Sequence, residues 1–188
     1  MLSVLKHLNY KPWFALAEFV DNAIQSYFDN ERQLRAAAGK KYQLRVEIEV
    51  NPDDDGQIIV RDNAAGIALA DFPRAFRPAE IPPDSSGLCE FGMGMKSAAF
   101  WFASKWSVRT SALGEAVERQ VNLDITSILA EKLEDLGVVE RPAKAAVHYT
   151  ELVLTNLHQT PLGKTLGKIR DHLCSIYRVY LQIGRAHV

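Results

Sequence analysis

Residues 44–61 admit few folds. Leu44, Val46, Ile48 and Val50 alternate with Arg45, Glu47 and Glu49. A period of two places the apolar side chains on one face and the charges on the other, so this is a strand with one buried face. Residues 51–56 (NPDDDG) carry turn chemistry, and residues 58–61 return as a second strand, so the pair is a hairpin. The preceding segment has a different period. Leu16, Phe19, Val20, Ala23, Ile24 and Tyr27 recur at spacings of three and four, which predicts an amphipathic helix over 13–30. Pro12 suits its first turn. The helix is expected to continue to residue 38, where Gly39 ends it.

Further along, residues 62–66 (DNAAG) form a turn directly after the returning strand. Residues 69–76 read as a short helix, and 77–87, with three prolines and two serines, as a loop. A helix is expected over 92–103, strands over 106–110 and 117–123, and a helix over 125–136 with Asp124 as its N-cap. A strand over 150–156 and a helix over 164–181 complete the pattern. Strands and helices do not alternate regularly, which points to an α+β fold with helices layered on a mostly antiparallel sheet.

The 188 residues suit one domain, and a net charge of −1 supplies no field to attract nucleic acid or an anionic membrane. No apolar run nears the roughly 20 residues of a membrane helix. Cys89 and Cys174 stand in no CxxC pattern, which argues against a disulfide framework or zinc site and for a reducing cytoplasm. Residues 183–188 read IGRAHV, similar to a translated frame of a common sequencing adaptor. The last helix is still amphipathic at Leu181, without a stop signal. The expectation is a domain over 1–182, truncated, followed by a non-native tail over 183–188.

Three clusters can carry chemistry. Glu18 and Asn22 are four apart and share a helix face, extended by Gln25. Such a stripe is ordinarily a solvated face, but a carboxylate can accept a proton from water and an amide oxygen can bind a hard cation. In the turn, Asp62 could accept a hydrogen bond from an exocyclic amine. Gly66 would admit a flat base close to the backbone, and Ile67 would wall it. Strand-ending Asp-Asn turns are also common without any ligand. In the third cluster, Phe91-Gly92-Met93-Gly94-Met95-Lys96, two glycines enter a helix whose positive end suits phosphate, with Lys96 adding charge. The spacing fits neither GxxxxGK[ST] nor the dinucleotide fingerprint.

Taken in order, ALAEFVDNAIQS (15–26), VRDNAAGI (60–67), GLCEFGMGMKSAAFWF (87–102) and TELVLTNL (150–157) resemble the Bergerat-fold ATPases of the GHKL group. That group includes the gyrase B subunit, the MutL repair proteins, the large heat-shock chaperone, the Morc proteins and the histidine-kinase catalytic domain. The FGMGMKS segment is most similar to the Morc-like and bacterial heat-shock-chaperone-like branch.

The resemblance implies a two-layer α/β sandwich, with helices on one face of a mixed, mostly antiparallel sheet. It implies ATP and Mg²⁺ as ligands. Glu18 matches the general base and Asn22 the Mg²⁺ ligand. Asp62 matches the acceptor for the adenine amine, with Gly66 and Ile67 beside the base. Phe91, Gly92, Met93, Gly94 and Met95 match the phosphate lid, Lys96 the lid lysine, and Thr150 a strand threonine on the adenine side. Ala64 stands where a glycine is usual, and so does Tyr149. The implied activity is slow ATP hydrolysis coupling lid closure to dimerisation or to a further effector domain. A histidine-kinase-type phosphotransfer domain and a non-catalytic nucleotide-binding scaffold are the alternatives.

Overall fold

The computed structural model describes residues 11–53, 55–76, 94–124 and 137–181. The chain opens with α1 (Pro12–Ala38), which has proline in its first turn and ends at Gly39 with φ 94°. The hairpin follows as β1 (Val46–Asn51) and β2 (Gln57–Asp62). A 3₁₀ turn (Leu69–Asp71) leads into α2 (Phe72–Phe76). Next come α3 (Gly94–Phe102), β3 (Ala103–Ser111), β4 (Val117–Asp124), β5 (Val138–Pro142) and β6 (Tyr149–Leu157). Two helices, α4 (Lys164–Ile176) and α5 (Arg178–Leu181), end the described chain.

The strands make one sheet in the order β1-β2-β6-β3-β4-β5. Every pairing among the described residues is antiparallel, so the mostly antiparallel sheet expected above is antiparallel throughout these residues. The reason lies in β6, which returns from the far end and inserts between β2 and β3, antiparallel to both. This one insertion joins two hairpin-like halves, and it positions the site.

The sheet's two faces differ as the alternation predicts. On one, Ile58 and Val60 of β2, Trp106 and Val108 of β3, and Leu152 and Leu154 of β6 meet Leu16 and Phe19 of α1 and Ala98, Ala99 and Phe102 of α3. Burying these side chains contributes on the order of 2 kcal/mol for each large one. On the other face Glu151 of β6 sits between two cations. Arg61 Nε donates to it at 2.7 Å and Arg109 Nη2 at 2.8 Å. Burial pushes the Glu151 carboxyl up, but the hydrogen bonds and charges of the two arginines outweigh it and hold the group below its ordinary value.

Two further differences from expectation have local causes. β5 escapes a periodicity search because all five of its residues are exposed and it contains Pro142. An edge strand tolerates proline because one side of its ladder is unused. The single helix expected over 164–181 breaks at Tyr177, which is buried against α1. The loop over 77–87, the helix over 125–136, the lid positions Phe91, Gly92 and Met93, and the tail over 183–188 lie outside the described residues.

Candidate functional site

The first part of the site stands on α1 and α3. Glu18 and Asn22 project from adjacent turns of α1, and the Asn22 amide nitrogen donates to the Glu18 carbonyl at 2.8 Å. The end of that amide suited to a cation is therefore its Oδ1. Burial, and then the negative charge of Asp21, raise the Glu18 carboxyl above its ordinary value. α3 begins directly against this carboxylate: a Cβ at Gly94 would lie 2.1 Å from Glu18 Oε2. Glycine here lets the carboxylate keep this position, since any larger residue at 94 would push the Glu18 side chain aside. Met95 packs on the main core. Lys96 is buried at 7% exposure, and its Nζ donates to the Arg74 carbonyl at 3.2 Å. In this arrangement the ammonium is held at the end of α2.

The second part lies at one end of the central strands. The pairing registers set Asp62 of β2 opposite Thr150 of β6, and Thr150 opposite Thr110 of β3. Asp62 Oδ1 accepts the Ala64 N–H at 2.9 Å. Burial pushes the Asp62 carboxyl up to about 7, with the Ala64 hydrogen bond pulling the other way. Gly66 takes φ 74°, while Ala64 is fully buried and does not take positive φ. The alanine at 64 therefore causes no strain here, and only the last glycine of the turn is obligatory. Gly66 also lies flat against β3, where a Cβ would stand 2.1 Å from the Ser111 carbonyl oxygen.

Several residues that the sequence reading passed over hold this turn. Thr110, 1% exposed, accepts the Ile67 N–H at 2.9 Å and donates to the Tyr149 carbonyl at 2.8 Å. Its hydroxyl lies 3.4 Å from that of Thr150. A signal was present: in the alternation Trp106, Val108, Thr110, a polar residue takes an inward position. His148 Nδ1 lies 3.0 Å and 2.8 Å from the carbonyls of Asn63 and Ala64. Both carbonyls only accept, so Nδ1 carries the hydrogen. Tyr42 donates to the Asn63 carbonyl and stacks on Tyr27 of α1 at 6.0 Å, tying the turn to the helix. Burial, with the charge of Asp62 next, raises the Tyr42 hydroxyl to about 12.

Replacing Thr110 by valine keeps the shape and removes both hydrogen bonds, leaving the Ile67 N–H and the Tyr149 carbonyl without them. A loss of about 2–3 kcal/mol is expected, read as a shift of the urea midpoint. Thr110→Ser should recover most of it.

An open cavity of ≈ 780 Å³ lies between the second half of α1, at Asn30 and Gln33, and the turn at Ala65 and Gly66. It shares Gly66 with the candidate site but is not lined by Glu18, Asn22 or Asp62.

The layout is thus an α+β sandwich carrying a Glu/Asn helix face, an acidic strand end beside a glycine turn, and a glycine entry into a third element. A family model described as histidine kinase-, DNA gyrase B- and HSP90-like ATPase matches residues 10–160. The chain belongs to this family. It is a GHKL-type domain, and ATP binding is the property that membership assigns to it. The matched span runs from α1 to the end of β6 and so contains both parts of the site, whereas α4 and α5 lie beyond it. A search of curated proteins found no match to the chain. No helix among the described residues of this GHKL domain is long and apolar enough to cross a membrane.

Proposed function

We propose that this GHKL domain binds ATP with Mg²⁺ and hydrolyses the γ-phosphate slowly, acting as a nucleotide-gated switch. The observation that carries this reading is the Glu18 carboxylate, set on the same helix face as Asn22 and in contact with Gly94 at the entrance to α3. A pure binder has no need of a partly buried carboxylate there.

The residues fit the ligands. No group of three or more acidic, His or Cys side chains that could hold a metal occurs among the described residues. Mg²⁺ does not require one, since it commonly takes one or two protein ligands and completes its shell with phosphate and water. Asn22 Oδ1 would be the protein ligand, and the bound ion would neutralise charge on the phosphates. Glu18 would orient the attacking water and accept its proton. Its raised carboxyl suits a base, because proton transfer is best from a group poised nearer the working pH. Asp62 would accept the adenine amine, Gly66 and Ile67 would flank the base, and Thr150, held beside Thr110, would face its edge. Phe91, Gly92, Met93, Gly94 and Met95 would form the lid over the phosphates, with Lys96 moving from the Arg74 carbonyl toward them. Phosphoryl transfer asks mainly for positioning and charge neutralisation, which these groups supply. Lid closure would then gate association of two copies, or contact with an effector domain, and opening would limit turnover.

Glu18→Ala separates the roles. Its affinity for ATP·Mg²⁺ by isothermal titration should stay within about threefold of wild type, while phosphate release falls by roughly 10² or more. Absence of ATP·Mg²⁺ binding by the folded wild-type chain would sink the proposal. Labelled phosphate retained on the protein would favour phosphotransfer instead.

A further inference from the structure

α4, α5 and the Tyr177 between them pack on α1, and three of the contacts are made by ring side chains. His172 stacks on Trp13 with ring centroids 4.1 Å apart, Tyr180 meets Phe28 at 6.1 Å, and Tyr177 packs between them against Ala17, Val20 and Ile24. The outer two contacts are between rings. The middle one is polar as well: Tyr177 Oη lies 3.0 Å from the Ala17 carbonyl oxygen and 2.7 Å from Asp21 Oδ1. These two acceptors bracket Glu18, one residue before it and three after.

Tyr177 is buried at 7% exposure, and its ring would pack as well without the hydroxyl. A buried phenol O–H must find partners, and this one finds both of them on the turn that carries Glu18. The Ala17 carbonyl is already an acceptor within the helix, so the hydroxyl adds a second hold on that turn. It ties α1 against rotation about its own axis. A side chain near the 5–6 Å radius of a helix moves by about 1 Å for a 10° rotation. Glu18 lies against Gly94, and misplacement by about 1 Å can cost roughly 10² in rate.

We propose that Tyr177 is a positioning residue for hydrolysis, its hydroxyl fixing the turn of α1 that presents Glu18 to the phosphate side of the site. This assignment depends on the ATP-hydrolysing reading above. Tyr177 lies outside the span matched by the family model, so membership alone does not assign it a role. The nucleotide's base side is held by the sheet end, at Asp62 and Thr150, which Tyr177 does not touch. Its effect therefore falls on turnover and not on binding.

The test uses the full chain, with ATP·Mg²⁺ affinity measured by titration and kcat and KM by phosphate release. Tyr177→Phe should lower kcat about tenfold, with KM and the dissociation constant within about twofold of wild type. Asp21→Ala, which removes the other half of the contact and also the charge beside Glu18, should lower kcat at least as far with the same unchanged KM and affinity, and it reads the proposal if the phenylalanine variant does not fold. The double variant should be no slower than the slower single one, because both changes break one contact. Unchanged kcat in the folded variants, an equal loss in affinity, or multiplied losses in the double variant would overturn the assignment while leaving the ATPase reading intact. Wild-type protein that binds ATP·Mg²⁺ and releases no phosphate would overturn the hydrolysis reading itself, and this one with it.

Discussion

Gly66→Ala is expected to lose about 3–5 kcal/mol of stability, a large part of what a domain of this size possesses. Two costs add. The backbone at Gly66 has φ 74°, where an alanine costs about 1 kcal/mol. The added Cβ would also stand 2.1 Å from the Ser111 oxygen, 2.7 Å from its carbonyl carbon and 2.9 Å from the Ala112 Cα. All three are backbone atoms, so no side chain can swing aside. Nor can the turn withdraw easily, because Leu113 N–H donates to the Ala65 carbonyl at 2.8 Å and Ile67 N–H to Thr110 at 2.9 Å. These bonds pin the turn to β3 on both sides of the glycine. The melting temperature should fall by roughly 10–15 °C. Gly114→Ala is the control: φ is 88° there but no atom lies within 4 Å, so only the backbone cost applies. If the two variants melt within a couple of degrees of each other, the steric account is wrong.

Asp62→Asn is expected to make the protein more stable above neutral pH and worse at holding ATP. The folded state raises the Asp62 carboxyl from 3.8 to about 7, so between those values the native protein binds a proton that the unfolded chain does not. Stability from this group is fully present below pH 3.8, falls as pH rises through that window, and is lost above about 7. Asparagine carries no charge, so the loss should vanish. At pH 8 the variant should exceed wild type by a few kcal/mol, and at pH 4 the two should agree. Its Oδ1 can still accept the Ala64 N–H, which limits any offsetting cost. Denaturant midpoints at several pH values check this.

Nucleotide binding should move the other way. A charged acceptor makes a hydrogen bond about twice as strong as a neutral one, so ATP affinity should fall roughly tenfold or more, and discrimination against GTP should narrow because asparagine can also donate. In wild type, ATP binding should tighten as pH rises toward 7. Affinity unchanged in the variant would remove Asp62 from the base pocket. The pairing of higher stability with lost binding is what a buried carboxylate retained for a ligand predicts.

Much of this domain was legible in local patterns because those patterns have short-range causes. The period of two in residues 44–50 and the turn chemistry at 51–56 gave the hairpin. The three- and four-residue spacing on α1, with Pro12 and Gly39 at its ends, gave the longest helix nearly to the residue. The order of the Glu18/Asn22, Asp62–Gly66 and Gly92–Gly94 segments pointed to the family before any coordinates. β5 and the break at Tyr177 were not legible. An exposed edge strand has no apolar period, and a helix broken by docking looks continuous in its own sequence.

The sequence by itself settled most of the described elements, the α+β class and which side chains could do chemistry, since propensity, periodicity and side-chain type are carried by neighbouring residues. Tertiary structure alone decided where those side chains lie relative to one another. It inserted β6 between β2 and β3, setting Asp62, Thr150 and Thr110 in one row. It required glycine at 66, because the Ser111 backbone lies against it, and set Gly94 against the Glu18 carboxylate. It also placed the Tyr177 hydroxyl on the turn of α1 that carries Glu18, more than 150 residues away along the chain. Contacts of that kind depend on which surfaces meet when the core closes, and no local stretch of sequence records them.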